Sequence, residues 1–391
     1  WTLGFIVVLT VFTGLAVLAF TGREITFPDA LTDRIEGKLN SDLNGPQVSI
    51  GQIVAIVDRH FVPRVTARNV VLIDATGAEI ASLNELRAVL SKEALKARRL
   101  RPDTLRLSGA QITVRRSKDG SFALDFGGAQ RVFGSGAEVL EAIDLAFSTD
   151  PLSDISRVEA REVTVSLEDA RSDRIWQATD AAITLLNTDE NIDITLNFEL
   201  FNGTEDLAEI ELGFASQKGS LASTIALNME RAPAQDFALQ SPTLSFLSVV
   251  DAPVSAAMRA EFGTDGALTE YTGSLAFDPG QIVAGAGAEP LAFEGGKGYF
   301  DYDPANKRIN FPELRLETDV LEVTGSGQVL LGDFDGSWPQ SFTGQWKVTD
   351  LRIAPEGVFD APLVFDQAAV DAKLRLNPFT LEVGQFDLAQ G

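Results

Sequence analysis

Few residues of this chain combine in a pattern that could do chemistry. The sequence has one histidine, His60, and no cysteine. Catalytic triads and zinc sites depend on histidine or cysteine side chains grouped with further polar residues. With no thiol and a single imidazole, the sequence provides neither group. We expect His60 to be a structural or exposed residue.

Carboxylates are abundant, but their pattern does not indicate a catalytic or metal site. The segment 301–306 (DYDPAN) lacks the glycine and the final glutamate of a calcium-binding loop, and we interpret it as a hairpin turn. The glycine-rich stretches 127–136 and 285–288 lack the strand and the lysine-bearing helix that flank a phosphate-binding loop. We predict that the protein is not an enzyme and holds no metal and no cofactor.

Basic residues form the one unusual charge feature. Between residues 87 and 118 there are ten basic and only two acidic residues, in a chain with a formal net charge of −24. One interpretation is a solvated helix and hairpin. The other is contact with anionic lipid headgroups, where each basic residue contributes up to about 1 kcal/mol. The candidate headgroup contacts are Lys92, Lys96, Arg98, Arg99 and Arg101.

The bulk composition is that of a folded protein. Of the 391 residues, 45% are hydrophobic and 23% are charged, which is ordinary for a globular chain. The length suits two or three domains or one elongated domain. The negative net charge disfavours nucleic acid as a partner, because phosphate binding requires a basic face.

The first 22 residues (WTLGFIVVLTVFTGLAVLAFTG) contain no charged side chain. As a helix they would span about 33 Å, which matches a hydrocarbon core of about 30 Å. A cleaved signal peptide is the alternative, since residues 17–19 form an acceptable cleavage triplet. We predict an uncleaved, single-pass anchor with the rest of the chain outside the cytoplasm.

The hydrophobic period identifies the elements that follow. Residues 29–43 repeat apolar side chains every fourth residue, which predicts an amphipathic helix, and from residue 47 the period is mostly two. Two further helices are predicted, one after Ser91 as N-cap and one over residues 137–147. Beyond residue 155 we find no helical pattern. Strand-like runs separated by Gly, Asp, Asn and Pro predict a mainly β, antiparallel fold.

A short motif recurs three times, beginning at Val65, Leu107 and Val158. In each copy an apolar residue is followed by a small residue two positions later, and by apolar residues at the sixth and eighth positions. Turn residues and another strand follow every copy. We interpret the motif as the first strand of a repeated hairpin unit.

The best strands have one apolar face. In residues 191–200 (NIDITLNFEL) large apolar residues alternate with polar ones from residue 192 onward, and residues 314–323 and 370–376 behave alike. Such faces are covered either by a second sheet in a β-sandwich or by a ligand in a curled sheet that forms a trough. The predicted trough lining is Ile192, Ile194, Leu196, Phe198, Leu200, Leu314, Leu316, Val320, Leu374 and Leu376.

The order of these features resembles the N-terminal region of the AsmA-like envelope proteins, particularly the bridge-like lipid-transfer proteins of YhdP and TamB type. The resemblance covers residues 1 to about 126, and the remainder agrees in its β-repeat character. It rests on the apolar span, the amphipathic helix and three segments: PRVTARNVVLID at 63–74, IASLNELRAVLS at 80–91 and LRLSGAQITVRRSKDGSF at 105–122.

The resemblance implies a function without catalytic residues. Members of this family are anchored in the inner membrane of Gram-negative bacteria and extend a β-sheet trough into the periplasm. We therefore expect a lipid-transfer protein that shields phospholipid acyl chains in a hydrophobic β-groove between the two membranes. Its expected partners are phospholipids, the inner membrane and other envelope proteins. The alternative is a non-enzymatic envelope scaffold or outer-membrane assembly factor with closed β-sandwich domains.

The sequence predicts five consecutive segments. These are the anchor (1–22), an amphipathic helix and linker (23–46), a β module with the basic helix (47–126), a glycine-rich linker with a short helix (127–150) and a repeated β-strand trough (151–391). We expect the trough to continue beyond the last residue, because the final strand-like run has no closing element.

Overall fold

The predicted change from helical to extended structure is present in the structure, which is a computed structural model. The chain divides into two compact units, residues 1–194 (the first unit) and residues 195–391 (the second unit). The structure describes residues 22–42, 47–57, 62–73, 79–91, 94, 101–117, 122–126, 129–133, 147, 153–170, 174–201, 207–238, 247–283, 289–334, 339–355, 361–376 and 378–389.

The prediction of a mainly β fold is confirmed, because alternating Val, Ile, Thr and Phe favour extended backbone. The helices with described bounds are α1 (Asp29–Asp42) and α2 (Ala234–Phe237). The strands are β1 (Ile25–Thr26), β2 (Gln47–Val57), β3 (Pro63–Ile73), β4 (Glu79–Leu90), β5 (Pro102–Ser108), β6 (Gln111–Arg116), β7 (Phe122–Phe126), β8 (Ala129–Phe133), β9 (Arg157–Asp169), β10 (Arg174–Asn187), β11 (Asn191–Phe201), β12 (Ala208–Gln217), β13 (Ser223–Pro233), β14 (Val250–Asp251), β15 (Pro253–Phe262), β16 (Leu268–Phe277), β17 (Gly280–Ile282), β18 (Leu291–Phe293), β19 (Gly295–Asp303), β20 (Arg308–Glu317), β21 (Leu321–Gly332), β22 (Ser341–Ile353), β23 (Leu363–Phe365), β24 (Gln367–Leu376) and β25 (Phe379–Ala389).

Helix α1 confirms the predicted amphipathic helix and binds the edge of strand β2. The Asn40 side chain accepts a hydrogen bond from Val48 N at 2.6 Å and donates one to Val48 O at 2.9 Å. A carboxylate oxygen of Glu36 accepts a bond from Ile50 N at 2.9 Å. Ile35 packs against the core beneath the helix. These bonds occupy backbone groups that would otherwise be free to pair with another strand.

The sheet of the first unit is mixed, although the sequence predicts only antiparallel pairing. Strands β2, β3 and β4 are antiparallel neighbours, and so are β9 and β10. Strands β5 and β6 are antiparallel to β4 but parallel to β9. A parallel pair requires a long crossover connection, and the chain between β6 and β9 supplies it.

The threefold motif marks a change of phase inside the strands of the first unit. Each copy is followed by a hairpin, as predicted. Its apolar positions are first odd and then even, so the alternation must shift by one residue. Left-handed backbone lies in this interval in each copy, at Asn69, Gly109 and Glu162 (φ 52°, 66° and 55°). The kink keeps the apolar residues on one face, since Ala67 and Val70 contact the same core cluster or belong to it.

The sheet of the second unit is antiparallel, as predicted. Ten strands pair in the order β12, β13, β15, β16, β19, β20, β21, β22, β24 and β25. Strand β23 adds to one end of β22. Two insertions leave the sheet, residues 234–252 and 278–294, and their strands β14, β17 and β18 form a small antiparallel sheet.

The predicted helices after residue 46 have different outcomes. The Ser91 hydroxyl accepts a hydrogen bond from Ala94 N at 3.2 Å, which is the contact expected of an N-cap. The rest of that helix lies outside the described residues, and so does the helix predicted over 137–147, apart from Phe147. The expectation of no helix beyond residue 155 is wrong, since α2 lies there.

The predicted anchor lies outside the described residues except for Gly22. Within the ranges that the structure describes, no helix is long and apolar enough to cross a membrane.

Candidate functional site

The sheet of the second unit has an apolar face that continues from β12 to β25. Directly paired residues of neighbouring strands share a face, so the strand register traces rows across the sheet. Every member of the central row is apolar or glycine. That row is Ile210, Met229, Ala256, Leu275, Gly298, Leu314, Gly325, Val348, Ala368 and Leu388.

The opposite face is polar. Its cross-strand neighbours bond to one another: Asn310 donates to Asp301 at 2.7 Å, and Gln328 donates to Gln345 at 2.9 Å. Because its polar groups are solvated or paired with each other, this face needs no second layer of protein. Water can cover it.

A depression of about 590 Å³ lies on the polar face. Its floor is made by small residues, and its rim includes Arg259 and Asp301. Arg259 donates two hydrogen bonds to Glu261, at 3.0 and 2.9 Å, and Asp301 accepts one from Asn310. These rim groups already have partners, so the depression is a weaker candidate for a ligand site than the apolar face. The small residues are Gly213, Ala226 and Ala257.

One part of the apolar face is covered by protein. We name residues 234–238 and 247–252 the cover segment, and the apolar face of β12, β13, β15 and β16 the covered section. Ala234, Ala238 and Leu247 of the cover segment are buried in one cluster with residues of the sheet. The buried sheet residues of that cluster are Ala208, Met229, Ala232, Val254 and Ala256.

The rest of the apolar face has no such layer among the described residues. We name the apolar face of β20, β21, β22, β24 and β25 the open section. The extensive contacts of these strands, within the described part of the chain, are with their neighbours in the sheet. On β25 the exposed fractions of Leu381, Val383 and Phe386 are 63%, 59% and 60%. The open section therefore presents apolar side chains to its surroundings.

Glycines let an aromatic ring lie flat on the open section. Gly327 pairs directly with Trp346, and a Cβ atom at Gly327 would lie 2.2 Å from Cε3 of the indole. A Cβ atom at Gly344 would lie 2.6 Å from the indole nitrogen. The ring centroids of Phe311 and Trp346 are 5.3 Å apart. The rings thus cover the backbone with apolar surface and add little height to the face.

Tyr271 shows how apolar its surroundings on this face are. Its hydroxyl donates a hydrogen bond to Sδ of Met258 at 3.1 Å, and its ring packs edge-on against Phe300 at 5.4 Å. Burial raises the pKa of Tyr271 above its ordinary value. A raised phenol pKa means that the neutral form is favoured, as expected in a medium of low polarity.

Most predicted lining residues lie on the apolar face of the second unit. The register places Leu314, Leu316, Leu374 and Leu376 on the open section, where their side chains are half-buried. Leu200 packs against the buried cluster of the covered section. Two residues on the same strand, at positions 196 and 198, are half-buried and share the face of Leu200 by their spacing of two.

Ile192, Ile194 and Val320 differ from the prediction. Ile192 belongs to the first unit and is 1% exposed, so it is a core residue and not part of a groove. Ile194 is the last residue of the first unit and is half-buried. Val320 lies in a turn, because the Thr318 hydroxyl accepts hydrogen bonds from the backbone N–H groups of residues 320 and 321. The segment 314–323 is therefore not one strand.

The basic cluster is partly compensated by acidic residues that lie far away in the sequence. Arg101 forms an ion pair with Asp154 at 2.5 Å. The parallel register of β5 and β9 sets Arg106 beside Glu159 at 3.1 Å. Counting charge between residues 87 and 118 therefore overestimates the positive charge of this surface. Four of the candidate headgroup contacts lie outside the described residues: Lys92, Lys96, Arg98 and Arg99.

The sequence reasoning missed the aromatic part of the open section. Strand β22 alternates Phe342, Gly344, Trp346 and Val348 on the apolar face. The glycine lowers the apparent hydrophobicity of this run, so leucine-rich strands attract more attention. An alternation in which glycine replaces one apolar residue beside an aromatic one is the signal that identifies such a strand.

Metal-binding chemistry finds no support in the described ranges, where no three histidine, aspartate or glutamate side chains are grouped to hold an ion. The segment 301–306 is a hairpin turn between β19 and β20, as predicted. The Asn306 side chain donates to Asp303 at 2.6 Å, and its backbone N–H donates at 3.1 Å. These bonds from Asn306 lower the pKa of the Asp303 carboxyl.

The chain matches no protein-family model, no curated protein and no solved structure. The function must therefore be inferred from the geometry of the apolar face.

Proposed function

We propose that this protein is a non-enzymatic lipid-transfer protein of the bacterial envelope. A single N-terminal span would anchor it in the inner membrane, and the rest of the chain would lie in the periplasm. Its sheet would form an elongated, curled trough that shields phospholipid acyl chains between the inner and outer membranes. The observation that supports this proposal is the open section, an extended sheet face with exposed apolar side chains.

The size of the open section is unusual for a face exposed to water. Five strands at about 4.8 Å and some eight residues at about 3.4 Å give an area on the order of 600 Å². Contiguous apolar patches of this size on soluble proteins mark places where another apolar surface binds. A hydrocarbon chain is a suitable occupant, because each methylene that it buries contributes about 0.8 kcal/mol.

The side chains of the face indicate recognition of tails and not of headgroups. The central row contains no polar side chain from β12 to β25. A ligand bound there gains affinity from apolar contact alone, and its headgroup stays in water at the margin of the sheet. The mechanism is passive carriage, in which the protein replaces the surrounding membrane for the tails.

A second candidate function is an envelope scaffold or assembly factor with closed β domains. The covered section favours it, because there the apolar face is buried by the chain itself. The open section favours lipid binding, because in the described residues its strands make extensive contacts only within the sheet. An experiment must therefore probe the open section.

The test compares two leucines on neighbouring strands. Leu316 lies on the apolar face of β20, whereas Leu330 of β21 lies on the polar face and is 49% exposed. The full chain is placed in inner-membrane vesicles that contain a phospholipid with a photoreactive diazirine in its acyl chain. Labelling of residues 195–391 is then measured by mass spectrometry after irradiation.

We expect Leu316→Asp to reduce this labelling at least fivefold, because a carboxylate in the groove costs several kcal/mol to bury against a tail. Leu330→Asp should leave it unchanged. Circular dichroism of both variants confirms that the sheet is intact. Absence of labelling in the unaltered chain, or equal labelling in both variants, would contradict the proposal.

A further inference from the structure

The cover segment separates the apolar face into two parts with different access. We infer that it acts as a stop for acyl chains: a bound tail occupies the open section and cannot advance onto the covered section while the cover segment is packed. This inference rests on the proposed function. It changes that function in one respect, since passage along the whole face then requires the cover segment to move.

Close packing of small residues carries the inference. Three alanines of the sheet, Ala208, Ala232 and Ala256, are buried beneath Ala234 and Ala238 or in the same cluster with them. Contacts between alanines bring two backbones close together. Protein interiors of this kind are packed to the density of organic crystals, so they leave no channel for a methylene chain. A tail can enter only if the cover segment lifts.

The cover segment is tied at both of its ends. Ala234 N donates a hydrogen bond to Ala252 O at 3.1 Å, which joins the two ends to each other. Val283 N donates to Val249 O at 2.8 Å, which joins the segment to the second insertion. The side chain of Leu247 is 6% exposed and anchors the segment in the cluster. The segment is therefore a packed part of the unit and not a loose loop.

The open section is large enough to hold a tail by itself. Its five strands span about 19 Å at 4.8 Å between neighbours. A tail in a bilayer crosses about half of the 30 Å hydrocarbon core, roughly 15 Å. A phospholipid tail of ordinary length thus fits across the open section and ends before the covered section.

The experiment maps the position of the label instead of its amount. The full chain in inner-membrane vesicles is irradiated with the same diazirine phospholipid, and labelled peptides are located by tandem mass spectrometry. We expect labelled residues in β20–β25 and at least tenfold less label in β12–β16. The unaltered chain serves for this step, so misfolding of a variant cannot obscure the result.

A variant then releases the stop. Leu247→Ala removes the anchor of the cover segment, and we expect label to appear in β12–β16 while labelling of β20–β25 persists. Leu330→Ala, on the polar face, is the matched control and should leave the distribution unchanged. Circular dichroism checks that each variant keeps its strands.

The outcomes separate the inference from the proposed function. Equal label in both sections of the unaltered chain overturns the stop but leaves lipid binding in place. Label confined to the open section even in a folded Leu247→Ala variant overturns the role of the cover segment. Absence of label from both sections overturns the proposed function, and the inference with it.

Discussion

The covered and the open sections share one alternation of apolar residues but are built from side chains of different size. The covered section uses alanine at positions 208, 232 and 256, and these short side chains let the cover segment approach the sheet closely. The open section carries large rings such as Phe311 and Trp346, which lie against the sheet themselves. Size, and not hydrophobicity, distinguishes a face that is covered by protein from one that is left accessible.

The difference also separates two sources of stability. In the covered section apolar side chains leave water completely, at about 25 cal/mol for each Å². In the open section the side chains contact their neighbours across the strands, and such pairs contribute roughly 0.2–1 kcal/mol each. Substitutions should therefore cost far more stability in the first section than in the second.

The largest difference is expected for a charge introduced into each section. Met229→Asp places a carboxylate in the buried cluster and should destabilise the second unit by about 3–5 kcal/mol. Leu374→Asp in the open section should cost less than about 1.5 kcal/mol, because water reaches the new carboxylate. Hydrogen exchange of β13 and β24, followed by mass spectrometry, measures both. Equal loss of protection would remove the distinction between the sections.

Truncation of the cover segment should have the next largest effect. Leu247→Ala deletes a buried side chain and should cost about 2–5 kcal/mol in the local stability of β13 and β15. Urea unfolding followed by hydrogen exchange reports this loss. Protection of β22 and β24 should not change, since the cover segment does not pack on them. A parallel loss in β24 would show that the two sections are one cooperative unit.

Raising the ring of Trp346 should have a smaller effect. Gly327→Ala places a methyl group 2.2 Å from the indole, so the ring must tilt away from the sheet, at a cost of about 1–3 kcal/mol. We expect a red shift of tryptophan emission as the ring becomes more hydrated. Gly213→Ala is the control, because its Cβ would meet only Ala226, at an ordinary contact distance of 3.6 Å. Identical spectra for the two variants would contradict the flat packing of the indole.

The smallest effect is expected from the phenol of Tyr271. Because burial raises its pKa in the folded chain, its contribution to stability is complete below pH 10 and is lost as the pH rises above that value. Tyr271→Phe should therefore lose less stability between pH 9 and about pH 11 than the unaltered chain does. Thermal unfolding across this range measures the slope. Tyr299→Phe on the polar face is the matched control, and an unchanged slope in Tyr271→Phe would contradict the assignment.

Much of the fold could be predicted from local patterns. Alternation identified the strands that carry Leu316 and Leu374 and assigned the face on which they lie. The four-residue apolar repeat identified α1, and Ser91 was recognised as a cap from its position alone. The threefold motif also contained its own explanation, since a shift from odd to even positions requires a kink such as that at Glu162.

The covering of each face could not be predicted, because it depends on contacts between distant segments. Alternation assigns Ile192 and Leu374 the same character, yet the first is a core residue and the second is half-buried on an accessible face. The compensation of Arg106 by Glu159 requires the parallel register of β5 and β9, which no local pattern reveals. Val320 was misplaced because the Thr318 side chain, and not hydrophobicity, ends the strand.

The flat indole of Trp346 has a consequence for motion under the proposed function. The ring rests on Gly327 and Gly344 before any guest arrives, so a hydrocarbon chain laid across it freezes no rotamer and fills no shaped pocket. Neighbouring positions along such a surface hold the guest about equally well. Low barriers between them let it glide with little friction, and a carrier that must also let go gains from that evenness.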